Sequence, residues 1–292
     1  MTAARERALA VLGLLAGAVV WGVVWYPYRL LEAGGIHGVT ATLLTYLVTL
    51  AAGGVFFRRR WRALRRGGLS LLAIALAYGW TNLAYVLAVV GGEVVRVMLL
   101  FYLAPLWTVL LARALLGERA GGVGYAVVGL SLAGAALMLW RPDIGLPLPR
   151  SRAEWLGLSA GFGFALGNVL ARRAAALDVR DKSLAIWLGS AVVPCAFLLV
   201  EPEGLGALAR LSGGLWLLAV GIGLSVFLIT LGVQYGLARV SASRAGVLFL
   251  LELVVVAASA WWLLGETLAP LEWLGAALIV AASLFAGKLE QS

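Results

Sequence analysis

Residues 94–118 read VVRVMLLFYLAPLWTVLLARALLGE, and this stretch holds two features that decide the fold. Up to Leu116 it contains only two charged residues, Arg96 and Arg113. A helix needs about 20 mostly apolar residues to cross the hydrocarbon core of a bilayer. We therefore expect a membrane-spanning helix over residues 94–116. The stretch ends in LGE, a triplet that returns near the end of the chain.

The whole chain shares the apolar character of this stretch. Of its 292 residues, 63% are hydrophobic and 13% are charged, and the mean hydropathy is +0.99. A soluble domain has about 45–50% apolar and about 25% charged residues. The bilayer is therefore expected to be the main solvent. The first apolar run starts at Ala8 and continues to about Tyr28 without a clear cleavage site, so we interpret it as a retained helix rather than a signal peptide.

Apolar segments of spanning length occur ten times, which predicts an all-α polytopic membrane protein with ten transmembrane helices. The predicted spans cover residues 8–29, 37–57, 69–90, 94–116, 120–140, 154–171, 183–200, 214–236, 244–264 and 271–287.

The basic residues between these spans predict the orientation. Cytoplasmic loops carry an excess of Lys and Arg. With a cytoplasmic N-terminus, 17 of the 23 Lys and Arg residues fall on the cytoplasmic side and 6 on the other. We therefore expect a multi-pass protein of the cell inner membrane with both termini in the cytoplasm. The net charge of +9 is then a signal for topology, with no nucleic-acid partner. The basic run at 58–66 is either a topology anchor or a site for anionic lipid.

Two matches within the chain predict an internal repeat. The segment LGLLAG at 12–17 returns as LGLSAG at 156–161, and LGE at 116–118 returns at 264–266. The offsets are 144 and 148 residues; they also place Arg29 on Arg173 and Arg96 on Arg244. Each repeat holds five spans, an odd number, so the second half enters the membrane from the opposite face. This predicts a 5+5 inverted repeat, with halves at 1–141 and 152–289 joined by a loop at 142–151.

Five short motifs give the chain a family resemblance: Trp21-Gly22, Pro105, LGER at 116–119, Leu251-Glu252 and LGE at 264–266. With these motifs the chain resembles the drug/metabolite transporter superfamily with two EamA-type repeats, and within it the bacterial aromatic amino-acid exporters. The resemblance implies a secondary transporter that exports small metabolites, aromatic or other neutral amino acids among them, by alternating access at a midplane cavity. The family commonly has proline where this chain has Leu253. We therefore expect the ninth helix to lack the kink that Pro105 should give the fourth.

Polar residues inside the apolar spans are the candidates for substrate binding, because ionisable and polar groups in a membrane are costly. Glu252 is the one acidic residue well inside an apolar run. It could take up a proton or bind a substrate ammonium, or it could hydrogen-bond to a neighbour and fix packing. Tyr78, Asn82 and Tyr85 share one helix face at spacings of four and three residues. The full set of predicted substrate-binding residues is Tyr46, Tyr78, Asn82, Tyr102, Asn168, Gln234 and Glu252.

Each of these residues also has a structural interpretation. Tyr46 belongs to a stripe with Thr42, Thr45 and Thr49, and hydroxyls and amides between membrane helices commonly hydrogen-bond to one another. Arg96 could neutralise a carboxylate, but extension of its side chain to the membrane interface is the simpler expectation.

The composition also excludes several chemistries. Cys195 and His37 are the only residues of their types, so neither an intramolecular disulfide nor a His or Cys metal site is expected. No phosphate-binding GxxxxGK[ST] run is present. We expect no cofactor and no catalytic residues. The alternatives are an exporter of drugs, nucleotide-linked metabolites or carboxylates, and a membrane-embedded enzyme. The expected partners are a small-molecule substrate and the lipid bilayer, with the oligomeric state left open.

Overall fold

The computed structural model describes residues 3–60, 67–118, 121–140, 148–200, 206, 212–237, 239 and 242–289. Within them the chain forms twelve α-helices and one short 3₁₀ helix, Arg58–Arg60. The α-helices are α1 (Ala3–Val23), α2 (Trp25–Ala33), α3 (Gly38–Phe56), α4 (Gly68–Gly91), α5 (Val94–Phe101), α6 (Ala104–Leu116), α7 (Gly122–Leu139), α8 (Arg152–Arg173), α9 (Val179–Val200), α10 (Gly213–Leu237), α11 (Ala242–Leu264) and α12 (Pro270–Leu289).

Every predicted span overlaps one of these helices or a consecutive pair of them. Six helical segments in the described residues are long and apolar enough to cross a membrane: 5–33, 38–56, 68–91, 94–116, 179–200 and 213–237. Shorter apolar helices occupy 122–137, 251–264 and 270–282. The prediction of an all-α polytopic membrane protein is therefore confirmed. Helix α8 has the same length as α9, 22 residues, but it is less apolar and is therefore not among these six segments.

Two of the predicted spans are interrupted. The first runs to Ala33, four residues further than predicted, and breaks at Val24. Pro27 lies just after this break and has no N–H to continue the helical hydrogen bonds. The fourth span breaks at Tyr102 and Leu103, directly before Pro105. Helix α11, which has Leu253 at the position equivalent to Pro105, continues without a break, as predicted.

The helices pack in a pattern of matched pairs. The contact of α4 with α8 is matched by that of α1 with α10, and the contact of α4 with α9 is matched by that of α3 with α10. The contact of α1 with α11 is likewise matched by that of α8 with α5 and α6. In each case the second contact is the one obtained by exchanging equivalent helices of the two predicted halves. Helices α3 and α9, and helices α7 and α12, are themselves equivalent and pack against each other.

Glycines allow the closest of these approaches. An added Cβ at Gly189 in α9 would lie 1.9 Å from the carbonyl oxygen of Ala75 in α4. At Gly13 in α1 it would lie 2.5 Å from the carbonyl oxygen of Gly232 in α10. Small residues let membrane helices pack backbone against backbone, which is the main use of glycine here.

Helices α6 and α11 end in the same way, 148 residues apart. Gly117 follows α6 with φ of +71°, and Gly265 follows α11 with φ of +69°. Glycine adopts this left-handed conformation at little cost, which is why it commonly terminates helices. The next amide of each, in Glu118 and Glu266, donates a 3.3 Å hydrogen bond to the carbonyl of Ala112 or Ala260. The LGE triplets therefore have matching backbone hydrogen bonds as well as matching sequences.

Candidate functional site

A cavity of about 1070 Å³ lies between the helices. It extends from the middle of the molecule, at Trp21, Tyr46 and Tyr85, to the ends of α6 and α8, at Glu118 and Arg172. Residues at the beginnings of α5 and α8 do not line it. Among the described residues, the cavity therefore opens at the end where Glu118 lies, here called the Glu118 end. The opposite end is called the Arg29 end.

All seven residues predicted to bind substrate line this one cavity. They come from six different segments: Tyr46 from α3, Tyr78 and Asn82 from α4, Tyr102 from the break between α5 and α6, Asn168 from α8, Gln234 from α10 and Glu252 from α11. Their placement on a common cavity is a geometric fact, and their role in binding stays a prediction.

Three of these groups form side-chain hydrogen bonds between helices. The Tyr78 hydroxyl donates to the Asn168 side-chain oxygen at 2.6 Å, and the Asn82 amide donates to the Ser190 hydroxyl at 2.7 Å. These bonds join α4 to α8 and to α9. They fix the orientation of the side chains that form one wall, so both interpretations, cavity lining and interhelical bonding, hold for these residues.

Glu252 is the carboxylate on the inner part of the cavity wall. Its carboxylate forms a side-chain hydrogen bond with the Tyr102 hydroxyl, which also lies 3.4 Å from the carbonyl oxygen of Phe249. Among the described side chains no cation pairs with it, and it is partly exposed to the cavity. A carboxylate with one hydrogen bond retains lone pairs for further donors. Glu252 therefore offers a negative, hydrogen-bond-accepting group to a ligand.

Aromatic rings form much of the remaining surface. Trp21 and Phe249 have ring centroids 5.9 Å apart beside Glu252. On the facing side Phe164 packs edge-on to Tyr78 at 5.9 Å and lies 5.4 Å from Phe101. Aromatic faces bind apolar and aromatic ligands and attract cations through their quadrupoles.

The mouth of the cavity carries an ion pair. Arg172 lies 2.8 Å from Glu118, and their side chains are 55% and 43% exposed. Arg172 is the only cation that lines the described part of the cavity, and its charge is already partnered. The cavity wall therefore has no unpartnered cation among the described residues.

The Arg29 end is closed by a buried apolar layer and a group of ion pairs. The layer includes Trp25, which donates to Ser259 of α11 at 3.2 Å, and Val97, Leu100, Val256, Ala260 and Ile279. At the same end of the molecule, the Arg96 guanidinium lies 2.7 Å from the Glu272 carboxylate and 3.2 Å from that of Glu154. Arg96 therefore pairs with carboxylates in the first turns of α8 and α12. Its extension to the membrane interface stays a prediction. The side chain of Arg244, its equivalent, lies outside the described residues.

Near the Glu118 end, outside the cavity, Arg60 binds two aspartates before and within the first turn of α9. It lies 2.9 Å from Asp181 and also pairs with Asp178. The backbone N–H of Arg180 donates to Asp178 at 2.9 Å. This hydrogen bond, together with the charge of Arg60, lowers the pKa of Asp178 below its ordinary value.

The threonine stripe of α3 is structural. Thr42, Thr45 and Thr49 are fully buried and donate to carbonyls one turn earlier in their own helix. Thr49 also bonds the carbonyl of Gly223 in α10 at 2.8 Å, and the Thr45 hydroxyl bonds that of Tyr28 at 2.9 Å. Only Tyr46 of this stripe reaches the cavity.

Several lining residues were not predicted from the sequence. Phe164, Thr230 and Phe249 each lie three or four residues before a predicted site residue and so share its helix face. Helical spacing from Asn168, Gln234 and Glu252 would have found them. No group of three His, Cys, Asp or Glu side chains that could hold a metal ion occurs within the described residues.

An all-helical membrane protein built around a cavity with one closed end has the form of a transporter. The sequence profile of the EamA-like transporter family matches residues 8–140 and again residues 151–287, and the chain belongs to this family. The predicted membership of the drug/metabolite transporter superfamily, with two EamA-type repeats, is thereby confirmed.

Curated relatives are similar over most of the chain. An uncharacterized transporter of Archaeoglobus fulgidus is 28% identical over 77% of this chain and 78% of its own length. A riboflavin transporter of Rhizobium johnstonii is 28% identical, covering 74% and 73%. A probable amino-acid metabolite efflux pump of Escherichia coli is 27% identical, covering 94% and 93%. A solved crystal structure of a protein superposes with a TM-score of 0.59 over 97% of both chains at 19% identity, which shows a shared fold.

Proposed function

We propose that this chain is a secondary transporter that exports small metabolites, with aromatic or other neutral amino acids as its substrates. The observation that carries the proposal is the cavity itself. Aromatic walls surround a carboxylate, Glu252, that has no cationic partner among the described residues, and the cavity is open at one end and closed at the other. A cavity in the middle of the membrane that opens to one side at a time is the basis of alternating access. One relative is a probable amino-acid metabolite efflux pump.

The chemistry of the wall fits an amine with an apolar body. Glu252 would hold the substrate ammonium, and Trp21 and Phe249 beside it would contact the apolar side chain. The amide of Gln234, which has no hydrogen-bond partner among the described residues, would donate to a substrate carboxylate. Tyr46, Tyr78, Asn82, Tyr102 and Asn168 complete the proposed binding site.

A larger flat aromatic molecule is the second candidate substrate. Ligand cavities commonly measure about 300–1,000 Å³, and this one, at about 1070 Å³, exceeds what a single amino acid fills. One relative is a riboflavin transporter. Ring faces such as those of Phe101 and Phe164 would stack on a fused ring system.

Other classes fit less well. Phosphorylated or carboxylate-rich substrates would need unpartnered cations, and the described cavity has Arg172 alone, paired with Glu118. For a membrane-embedded enzyme we would expect clustered carboxylates or histidines, and membership of a transporter family favours transport over catalysis.

The architecture that we propose has ten transmembrane helices in two inverted halves, at 1–141 and 152–289. Three observations support it: the two matches of the family profile, the exchange of equivalent helix contacts, and the matching ends of α6 and α11. We also propose an inner-membrane location with cytoplasmic termini. In that orientation the Glu118 end faces the cytoplasm and the Arg29 end faces outward, as the predicted excess of basic residues requires.

Flux measurements on purified protein in liposomes test the proposed substrate. We expect efflux of neutral, preferentially aromatic, amino acids above that of protein-free liposomes, measured with and without a proton gradient. Riboflavin in the same panel tests the second candidate. Flux of neither class, with folded protein in the liposomes, would contradict the proposal and leave the fold unaffected.

A further inference from the structure

Glu266 closes the Arg29 end by an unusual contact. Its two carboxylate oxygens accept hydrogen bonds from the backbone N–H groups of Val94 and Val95, at 3.1 and 3.2 Å, at the very start of α5. Arg29 lies 3.8 Å from the same carboxylate. The first amides of a helix lack partners within the helix and carry partial positive charge. The residue that precedes α5, Glu93, does not cap them with its own side chain. A carboxylate from the other half of the chain does so instead.

Glu118 is the equivalent residue at the Glu118 end. It follows Gly117 as Glu266 follows Gly265, with the matching backbone hydrogen bond and an offset of 148 residues. The same offset places Val94 and Val95 on Ala242 and Ser243, the first residues of α11. In this structure, however, Glu118 lies at the open mouth and pairs with Arg172.

The helices that carry these carboxylates also carry the amides that bind them. Helix α11 begins with the amides of Ala242 and Ser243, which are equivalent to the Val94 and Val95 amides that bind Glu266. Glu266 itself follows the C-terminal end of α11. The segment formed by α5 and α6 begins with the amides that bind Glu266 and ends at Glu118. Helix α11 is continuous, so its two ends move together when it tilts. A tilt that separates its C-terminal end from the start of α5 therefore also moves its N-terminal end relative to the C-terminal end of α6.

From this arrangement we propose that Glu266 and Glu118 are alternating gates, each docking on the first amides of a helix in the other half. In the state seen here, Glu266 is docked on α5 and the Glu118 end is open. In the opposite state Glu118 docks on the amides of Ala242 and Ser243, and Glu266 leaves α5. The inference rests on the proposed transport function and assigns the groups that control which side the cavity faces.

Accessibility of a single cysteine measures the state of each gate. In a chain carrying Cys195→Ser, which removes the native thiol, Val24→Cys places a thiol on the cavity wall near its inner end. A membrane-impermeant methanethiosulfonate reagent is added to right-side-out and to inside-out vesicles, and the rate of modification is measured for each face. The parent should react faster from the face that carries the Glu118 end.

The two glutamates should act in opposite directions. Glu266→Gln weakens the docked contact, and we expect modification from the Arg29 face to rise about tenfold, because a hydrogen-bonded charge contributes enough to shift a two-state equilibrium that far. Glu118→Gln weakens the docked contact of the opposite state, so modification from the Arg29 face should slow. Glu6→Gln is the control, because Glu6 is an exposed glutamate on α1 that belongs to neither gate.

Unchanged rates from both faces in folded Glu266→Gln would overturn the proposal, as would faster modification of Glu118→Gln from the Arg29 face. Should Glu266→Gln not fold, Glu266→Asp keeps the charge with a shorter side chain, and it must also raise the rate of modification from the Arg29 face, by a smaller factor. Unchanged rates in Glu266→Asp would also overturn the proposal. The readout needs no substrate. A normal gate response without amino-acid flux would contradict only the substrate, and normal flux without a gate response would contradict only the gates.

Discussion

At the scale of single residues, Glu252 is the side chain on which the proposed substrate binding depends most. Some polar groups of the cavity wall form hydrogen bonds between helices, as Tyr78 does with Asn168, and so act in packing as well as lining. Glu252 has one hydrogen bond, from Tyr102, and no cationic partner among the described residues. Keeping a carboxylate within a membrane protein without a partner is costly, so a charge retained there is expected to serve a ligand or a proton.

Glu252→Gln should lower the flux of amine-bearing substrates about tenfold or more, because it removes the charge that the ammonium meets and keeps the side-chain shape. The measurement is initial flux in liposomes at matched protein content, with Glu6→Gln as the control because Glu6 is exposed on α1. Equal flux and equal pH dependence in the variant and the wild type would show that Glu252 only fixes packing.

Asp178 gives a prediction outside the membrane. Its pKa is lowered in the folded chain by the Arg180 backbone N–H and by Arg60. A group with a depressed folded pKa contributes stability above its unfolded pKa, about 3.9, and loses it as the pH falls through the folded pKa. Asp178→Asn should therefore lower the Tm in detergent near neutral pH, and the difference from the wild type should shrink as the pH falls below about 4.

The size of this Asp178 effect should be small, because its side chain is 42% exposed and exposed ion pairs are screened by water. A difference in Tm that stays constant from neutral to acid pH would rule out the ion pair as its source.

At the scale of elements, the breaks and ends of helices shape the cavity. The interruption at Tyr102, before Pro105, places the Tyr102 hydroxyl against α11, whereas α11 has Leu253 and continues. The ends at Gly117 and Gly265 set the direction of the following glutamates. Because both glycines have left-handed backbone angles, a residue with a side chain would be strained at either position.

Gly117→Ala and Gly265→Ala should each lower the free energy of unfolding by about 1–2 kcal/mol, the cost of a left-handed conformation for a residue with a Cβ. Gly129→Ala is the matched control: Gly129 lies within α7, and an added Cβ there meets no atom within 4 Å. Thermal unfolding in detergent measures all three. Loss of stability in Gly129→Ala of the same size would show that the left-handed angles are not the cause.

Sequence patterns predicted much of the fold and of the candidate site for physical reasons. Polar residues are rare in apolar spans, so Asn82, Asn168 and Gln234 were recognisable without coordinates. Aromatic residues such as Phe164 were not recognisable from their residue type, because they face lipid as readily as a cavity, and only the helical spacing from Asn168 marks Phe164. The ion pairs at the Arg29 end were also missed. Arg96 and Glu272 are 176 positions apart in the chain, and no local pattern indicates their contact.

At the scale of the whole molecule, two sets of matched helix contacts enclose one cavity. The cavity reaches the surface at the Glu118 end, and the layer containing Trp25 and the ion pairs of Arg96 close the other end. A molecule with a closed barrier on one side only must change conformation to move a substrate across. The central claim is therefore that substrate passes through this cavity.

Filling the cavity tests that claim most directly. Thr230 lines it on α10, and Leu228, two residues earlier on the same helix, is 63% exposed on the outside. Initial flux of the best substrate is measured for Thr230→Trp and Leu228→Trp in liposomes with matched amounts of folded protein. We predict that Thr230→Trp abolishes flux while Leu228→Trp retains it. Undiminished flux through Thr230→Trp would contradict transport by way of this cavity.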